Sequence, residues 1–399
     1  MSLEKRIFPT SSINIEVNAL ANYIYADNAA TTKLDVEAFD AMKPWLLDEY
    51  GNASQPYSFS RKPKEALKKA RETIAECIHA LPEEIFFTSG GTESDNWAIK
   101  GAALSNCGHR AIITSAFEHH AILHSCEAVE RLGCPVSYLW PDKNGIITPS
   151  MLESHITDET LLVSVMLANN EIGAVQPIQE LCDIAHSHNA LFHTDAVQAV
   201  GHIEVDVKKL GVDMLSASAH KFNGPKGIGF LYIRDGTPTI PFLDGGAQEY
   251  KRRAGTENIA SIVGMAIALK NNCQLILENQ QRIKALETRL LDTLGALGVS
   301  YVRNGSDCSL PGLISLSFAG KDGEAILHRL DLMGISISTG SACDSKRTEI
   351  SHVLKALKLP MELAKGTIRI SLGKNNTESE IDFIANAIAK VVLAEARSR

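Results

Sequence analysis

From about Lys64 the apolar residues Leu67, Ala70, Ile74, Cys77 and Ile78 recur at helical spacing, and the segment "IFFTS" (85–89) that follows reads as a short buried strand. The same handover from helix to strand repeats along the chain. Apolar runs of strand length stand at 111–115, 135–140, 161–167, 190–195, 214–219 and 228–234, several of them nearly continuous in apolar residues. Strands without polar alternation are covered on both faces, as parallel strands are by their crossover helices. The pattern therefore predicts an α/β fold on a mostly parallel, seven-stranded sheet.

After about Asn258 the rhythm changes. A long helical pattern runs toward Leu297, followed by short strands near 299–303 and 313–318, a helix over 323–333, and strands near 335–338 and 367–372. This predicts a smaller α+β domain, and the early strand-like element "YIYAD" joins it. The large domain is expected at 31–275, and the small domain at 1–30 and 276–399. The chain shows no internal repeat, no low-complexity tract and no disordered linker.

A chain of 399 residues with 45% hydrophobic and 22% charged residues is long enough to bury cores of this size. Its formal charge of -8 argues against broad electrostatic capture of nucleic acid or of an anionic membrane. "MSLEKRIFPTSSINIEV" has neither the apolar core of a signal peptide nor the Arg-rich amphipathic character of a transit peptide, and no apolar run reaches the ~18 residues that span a bilayer. A cytoplasmic enzyme is the expectation, with no nucleic-acid and no membrane partner. The eight cysteines form no C-x-x-C pair and no regular framework, which points to thiols in a reducing compartment. His120 and His124 can share a helix face, but no third ligand accompanies them, so no metal site is assigned.

Ligands of open α/β sheets collect at the carboxyl ends of the strands, which makes the residues just beyond each strand the informative ones. After "IFFTS" comes "GGTESDN", where glycines admit an anion close to the backbone and Thr92 with Asp95 resembles a capping box. The lysine of a G-x-x-x-x-G-K-[ST] loop is absent, which weakens a nucleotide triphosphatase reading. After "ALFHT" comes Asp195, with Gln198 three residues on; after "MLSASA" come His220 and Lys221. Alone, Asp195 would read as a helix N-cap and Lys221 as a surface side chain. Together with Gly90, Gly91 and Thr92 they meet the needs of pyridoxal 5'-phosphate: an amine, a carboxylate that keeps the ring nitrogen protonated, and donors around a phosphate. His119 in "FEHHAI" and Asn170 in "ANNEIG" fit the same pattern.

At this point the sequence resembles the cysteine desulfurases, fold-type I pyridoxal phosphate enzymes of the class V aminotransferase superfamily. The resemblance runs through "YADNAATT" (25–32), "GNAS" (51–54), "TSGGTESDN" (88–96), "EHHAI" (118–122), "NNEIGAVQPI" (169–178), "HTDAVQAVG" (193–201), "SASAHKFNGPKGIGFLY" (216–232), "RAGTENI" (253–259), "STGSACDS" (338–345) and "IRISLG" (368–373). It implies that Lys221 is the Schiff-base lysine, Asp195 the ring-nitrogen partner and Gln198 a donor to the ring hydroxyl. Gly91, Thr92, Ser218 and His220 would hold the phosphate, and Thr256 would reach the phosphate of the neighbouring subunit in a homodimer with shared active sites. His119 would stack on the ring and assist proton transfer, Arg369 would take the substrate carboxylate with Asn170 nearby, and Asn28 would line the substrate side. The implied substrate is L-cysteine, whose sulfur passes to Cys343 as a persulfide while alanine leaves. The "GSAC" form implies an extended loop that carries the persulfide to an acceptor, such as an iron–sulfur scaffold protein.

The chain departs from the family pattern at Ala53, Tyr57 and Ala219; Ala247, Tyr250 and Lys251 replace the usual Gly, Arg and Gly, and Thr348-Glu349-Ile350 replaces Leu-Glu-Pro. Lys346 and Arg347 add charge beside Cys343. Three other readings stay open at this level: an aminotransferase of the same superfamily, which needs no nucleophilic cysteine; a selenocysteine lyase; and an inactive paralogue that serves as a scaffold.

Overall fold

The seven apolar runs pair into one sheet in the computed structural model of the protein, which describes residues 23–105, 110–339 and 350–394. Strand β1 (Ile24–Tyr25) precedes this sheet, which comprises β2 (Ile85–Thr88), β3 (Ala111–Ser115), β4 (Val136–Leu139), β5 (Thr160–Ser164), β6 (Leu191–Asp195), β7 (Met214–Ser218) and β8 (Gly229–Ile233). The spatial order is β2-β8-β7-β6-β5-β3-β4. Only β8 is reversed, running antiparallel to both of its neighbours; the remaining pairs are parallel. The carboxyl ends of the other six strands therefore lie along one edge. Residues far apart in sequence meet there.

The run predicted at 161–167 leaves the ladder after Ser164, yet Val165 and Leu167 still donate to the carbonyls of His193 (3.2 Å) and Asp195 (2.9 Å). This extension holds 165–170 against the end of β6. Helices Gly91–Ser105, His120–Glu130 and Ile178–Ser187 make crossovers within the sheet.

The long helical pattern after Asn258 proves to be two helices, Ile259–Gln274 and Ile276–Ala296, bent by 72° at Leu275. The first packs its apolar residues Ile262, Met265, Ala266 and Leu269 into the core of the large sheet. The second turns Ile283, Leu286, Leu290 and Leu294 into a separate core. Among the described residues no single helix is long and apolar enough to cross a membrane.

The separate core lies under β9 (Val302–Asn304), β10 (Leu313–Ser317) and β12 (Thr367–Ser371), an antiparallel sheet of order β12-β10-β9. Beside it β1 pairs in parallel with β11 (Ile335–Ser336), so "YIYAD" joins the later strands as the sequence predicts. Ile24, Ile314, Ile326, Ile370, Ile381 and Ile388 fill this core. Arg369 sits at the middle of β12 and projects its guanidinium toward the edge of the large sheet.

One segment is held against its backbone preference. Glu249, Tyr250 and Lys251 have φ of 45°, 56° and 66°, three consecutive non-glycine residues in the left-handed region. Each such residue costs about 1–2 kcal/mol. The offset comes from below, where the Glu249 carboxylate, 3% exposed, accepts from Arg71 Nη2 (2.6 Å) and Nη1 (2.9 Å) and from the Phe87 amide (2.9 Å). Arg71 also donates to the Ile85 carbonyl, and its guanidinium lies 4.4 Å from the Phe87 ring centroid and 5.4 Å from that of Tyr250. Removing one member of a buried ion pair strands the other without compensation. Glu249→Ala is therefore expected to lower the unfolding free energy by about 3–5 kcal/mol in urea denaturation. Lys251→Gly, which relieves the left-handed cost, is expected to leave it unchanged or raise it by up to about 1 kcal/mol.

Candidate active site

The turn after β2 opens the site. Gly90 has φ of 148°, and a Cβ on Gly91 would stand 2.6 Å from Val197 Cγ2, so neither position accepts a side chain without rearrangement. Their backbone leads into the Gly91–Ser105 helix, whose first amides face a cavity of about 530 Å³ lined by Ser89, Gly90, Gly91 and Thr92. Unpaired amides and the helix dipole make this turn an anion site. The capping box read from Thr92 and Asp95 is not formed. Glu93 reaches back instead, its Oε2 accepting from the Ser89 amide (2.8 Å), while Asp95 turns inward and is 1% exposed.

The neighbouring strand ends supply the other groups. Asp195 closes β6, is buried, and accepts from the Val197 amide at 2.9 Å. Ser218 closes β7, and the short turn Ala219–Lys221 that follows carries His220 and Lys221. Lys221 Nζ donates to the carbonyls of Ala29 (2.6 Å) and Ala30 (2.9 Å), and Gln198 Nε2 donates to that of Ala29 (3.0 Å). The segment 27–31 thus straps the cavity, with Thr31 Oγ1 3.1 Å from His220 Nδ1. His119 is the N-cap of the His120–Glu130 helix; its Nδ1 accepts from the Ala121 amide at 3.2 Å, which leaves Nε2 to carry the proton of the neutral ring.

Arg369 reaches the cavity from the small sheet. It donates to the Asn170 carbonyl (2.9 Å) and to Asp27 Oδ1 (2.7 Å), and its buried Nε has no partner. His119, Asn170, Asp195, Gln198, Ser218, His220, Lys221 and Arg369 all line the cavity together with the Gly91-Thr92 turn. Two expected residues do not. Asn28 lies just behind the strap, donating from Nδ2 to the Ser371 carbonyl at 2.9 Å and filling the space over Gly373. Thr256 is exposed in the segment ahead of the Ile259–Gln274 helix and does not line this chain's cavity. Cys343, with Lys346 and Arg347, lies outside the described residues. His120 and His124 do share a helix face, ring centroids 5.2 Å apart, and His352 lies 4.6 Å from His120; among the described residues no group is arranged to hold a metal ion.

Burial sets the charge states. It raises the Asp195 carboxyl to about 6 even though the Val197 amide and Lys221 act the other way. Asp95 is pushed well above the ordinary carboxylate value by burial and then by the charge of Asp195. Glu118 rises to about 8 through burial, its Oε1 accepting from Ser115 Oγ (2.6 Å) and the Met166 amide (2.9 Å). Burial lowers His119 and His220 to about 4, assisted by the charge of Lys221, and burial alone takes His193 to about 3. Sequence reasoning missed Glu118 and His193 and misread Asp95. Their only signal was position, since Glu118 follows β3 by three residues and His193 lies within β6.

The family model described as Aminotransferase class-V matches residues 24–384. A protein of Dictyoglomus turgidum named cysteine desulfurase IscS is 47% identical over 376 residues, covering 92% of this chain and 94% of that protein. The chain belongs to the cysteine desulfurase family. Among solved structures, a NifS-like protein superposes with a TM-score of 0.88 at 36% identity, covering 93% of this chain and all of that one (100%). A second, described as SspA in complex with cysteine, has a TM-score of 0.79 at 35% identity and covers 89% of this chain and 100% of its own.

Cysteine desulfurases of class V are pyridoxal-phosphate-dependent enzymes, and the residues present fit that cofactor. A glycine turn without room for a Cβ opens an anion site, a buried carboxyl stands at the next strand end but one, and an amine enters the same cavity. The neutral histidines of this desulfurase also make a statement about stability. Below the ordinary value of 6.5 the unfolded chain binds protons that folded His119, His220 and His193 refuse, so stability falls as pH drops from about 6.5 toward 4. Asp195 and Glu118 act in the opposite sense, their contributions being lost as pH rises through about 6 and about 8. Urea midpoints of cofactor-free protein are expected to decline on the acid side. His220→Asn should flatten that limb by up to one proton, about 1.4 kcal/mol per pH unit.

Proposed function

We propose that the protein removes sulfur from L-cysteine, releasing L-alanine and leaving a persulfide on Cys343. The reading rests on the convergence of Lys221, Asp195, the Gly90-Gly91 turn and Arg369 on one cavity. The cysteine found in the complex of the related SspA supports the choice of substrate.

Bound pyridoxal phosphate supplies the electron sink for a bond broken at the substrate α-carbon. Lys221 would hold it through its Nζ and would be the group that carries the substrate α-proton; the Ala29 and Ala30 carbonyls fix where that Nζ stands. Asp195 holds a proton on the ring nitrogen. Its carboxylate is made more basic by burial, while the Val197 amide and Lys221 favour the ionised form. Gln198 would donate to the ring hydroxyl, and Gly91, Thr92, Ser218 and His220 would hold the phosphate.

His119 lies against the ring and exchanges a proton at Nε2. With its proton on Nε2 and Nδ1 taken by the Ala121 amide, it would donate from Nε2 to the Cys343 sulfur and so favour the thiolate, the form that attacks sulfur. Arg369 takes the substrate carboxylate, and its buried, unpartnered Nε is the donor left over for a second oxygen. Asn170 stands beside it. Asn28 serves the substrate side by pinning the 27–31 strap through the Ser371 carbonyl.

Thr256, exposed and away from its own cavity, reaches the phosphate of the partner subunit in a homodimer. The division into 31–275 and 1–30 with 276–399 belongs to the same proposal, supported by a second core that draws on Ile24, Ala26 and residues from Ile283 onward. The sulfur acceptor is a protein such as an iron–sulfur scaffold, in the cytoplasm.

Purified enzyme given L-cysteine and dithiothreitol, without a keto acid, is expected to yield equal amounts of alanine and sulfide. Cys343→Ala should keep the cofactor absorbance and lose sulfide release by roughly a thousandfold or more. Undiminished sulfide from that variant would remove Cys343 from the mechanism.

A further inference from the structure

Glu93 presents a problem for the phosphate site. It is the third residue of the Gly91–Ser105 helix, lines the cavity beside Gly91 and Thr92, and has a side chain only 10% exposed. Its Oε2 takes the Ser89 amide, which shapes the turn and leaves the following amides facing the cavity. The same contact sets a carboxylate in the wall of the cavity that is to take a phosphate, and like charges in a partly buried site repel at an effective dielectric of about 20 far more than they do in water.

Arg253 answers that charge. Its Nε donates to Glu93 Oε1 at 2.8 Å and its Nη2 to Oε2 at 3.1 Å, a bidentate pair across 160 residues of sequence. The backbone around it is fixed by the Leu243–Arg253 bridge and by the Ala254 amide, which donates to the Leu243 carbonyl at 3.0 Å. Burial would raise the Glu93 carboxyl, but Arg253 and Ser89 together hold it below its ordinary value, so it is a carboxylate throughout the working range.

We infer that Arg253 is a positioning residue for the cofactor phosphate: it cancels the charge of Glu93 without touching the phosphate, so that Glu93 shapes the anion turn and does not repel its anion. This rests on the reading that the phosphate sits at the Gly91-Thr92 turn.

The test is a charge cycle read as affinity of the cofactor-free protein for pyridoxal phosphate, by the absorbance change on binding, with pyridoxal as the probe that lacks a phosphate. Arg253→Gln is expected to weaken pyridoxal phosphate binding by about tenfold or more and to leave pyridoxal unchanged. Adding Glu93→Gln to that variant should recover most of the loss, and Glu93→Gln alone, which leaves the Arg253 charge uncompensated, should hold pyridoxal phosphate as tightly as wild type or more tightly. Arg253→Lys, which keeps the charge and loses the fork, should stay within about threefold of the wild type. The inference is overturned if the double variant binds no better than Arg253→Gln, if Arg253→Gln binds as well as wild type, or if it weakens pyridoxal equally. Thr92→Val separates the underlying reading: unchanged pyridoxal phosphate affinity there would move the phosphate elsewhere, whatever the cycle shows.

Discussion

The ammonium of Lys221 and the carboxylate of Asp195 face one buried cavity from the ends of neighbouring strands, and loss of water there, reinforced by that pair, sets the charge state of the groups around them. A buried carboxyl is raised by loss of water, and the Val197 amide together with the nearby cation keeps Asp195 within reach of ionisation. Asp95, a little deeper, then has no means of ionising beside it, and His119 and His220, close to the same ammonium, are held neutral. Burial and one opposite pair together therefore fix which groups in the cavity are charged and which are neutral.

That pair exists because β6 and β7 run parallel and side by side, with Asp195 in register with Ser216. Parallel order also explains why the apolar runs could be read from sequence. Strands buried on both faces carry no polar alternation, and the residues that break the run, Asp195 and His220-Lys221, stand out at its end. The turn after β2 was legible for the same reason.

What was not legible depends on distance through space. No Gly or Pro marks Leu275, where two helices meet at 72°, because the bend is set by the two cores that they enter. Asp95 was read as a cap because sequence spacing admits both Glu93 and Asp95 as partners for the turn, and only the packing of β6 and β7 beneath the helix decides between them. The ion pairs of Arg71 with Glu249 and of Arg253 with Glu93 join residues more than a hundred positions apart, and neither partner carries a local motif that names the other. Asn28 lies in a segment that resembles the family closely, yet its side chain faces Ser371; resemblance located the strap and not the direction of each side chain.

The left-handed run at Glu249, Tyr250 and Lys251 has a consequence for how this chain's departures are interpreted. Its backbone course is imposed from beneath by a single carboxylate gripped by Arg71 and the Phe87 amide, and Tyr250 stays largely exposed above it. A loop shaped this way does not depend on glycine to encode its own turn, so positions 250 and 251 are free to drift while the path of the chain on to Arg253 and Thr256 is preserved. Tyrosine and lysine at those positions record tolerance of substitution in a loop whose shape is specified elsewhere, and they carry no sign of altered chemistry.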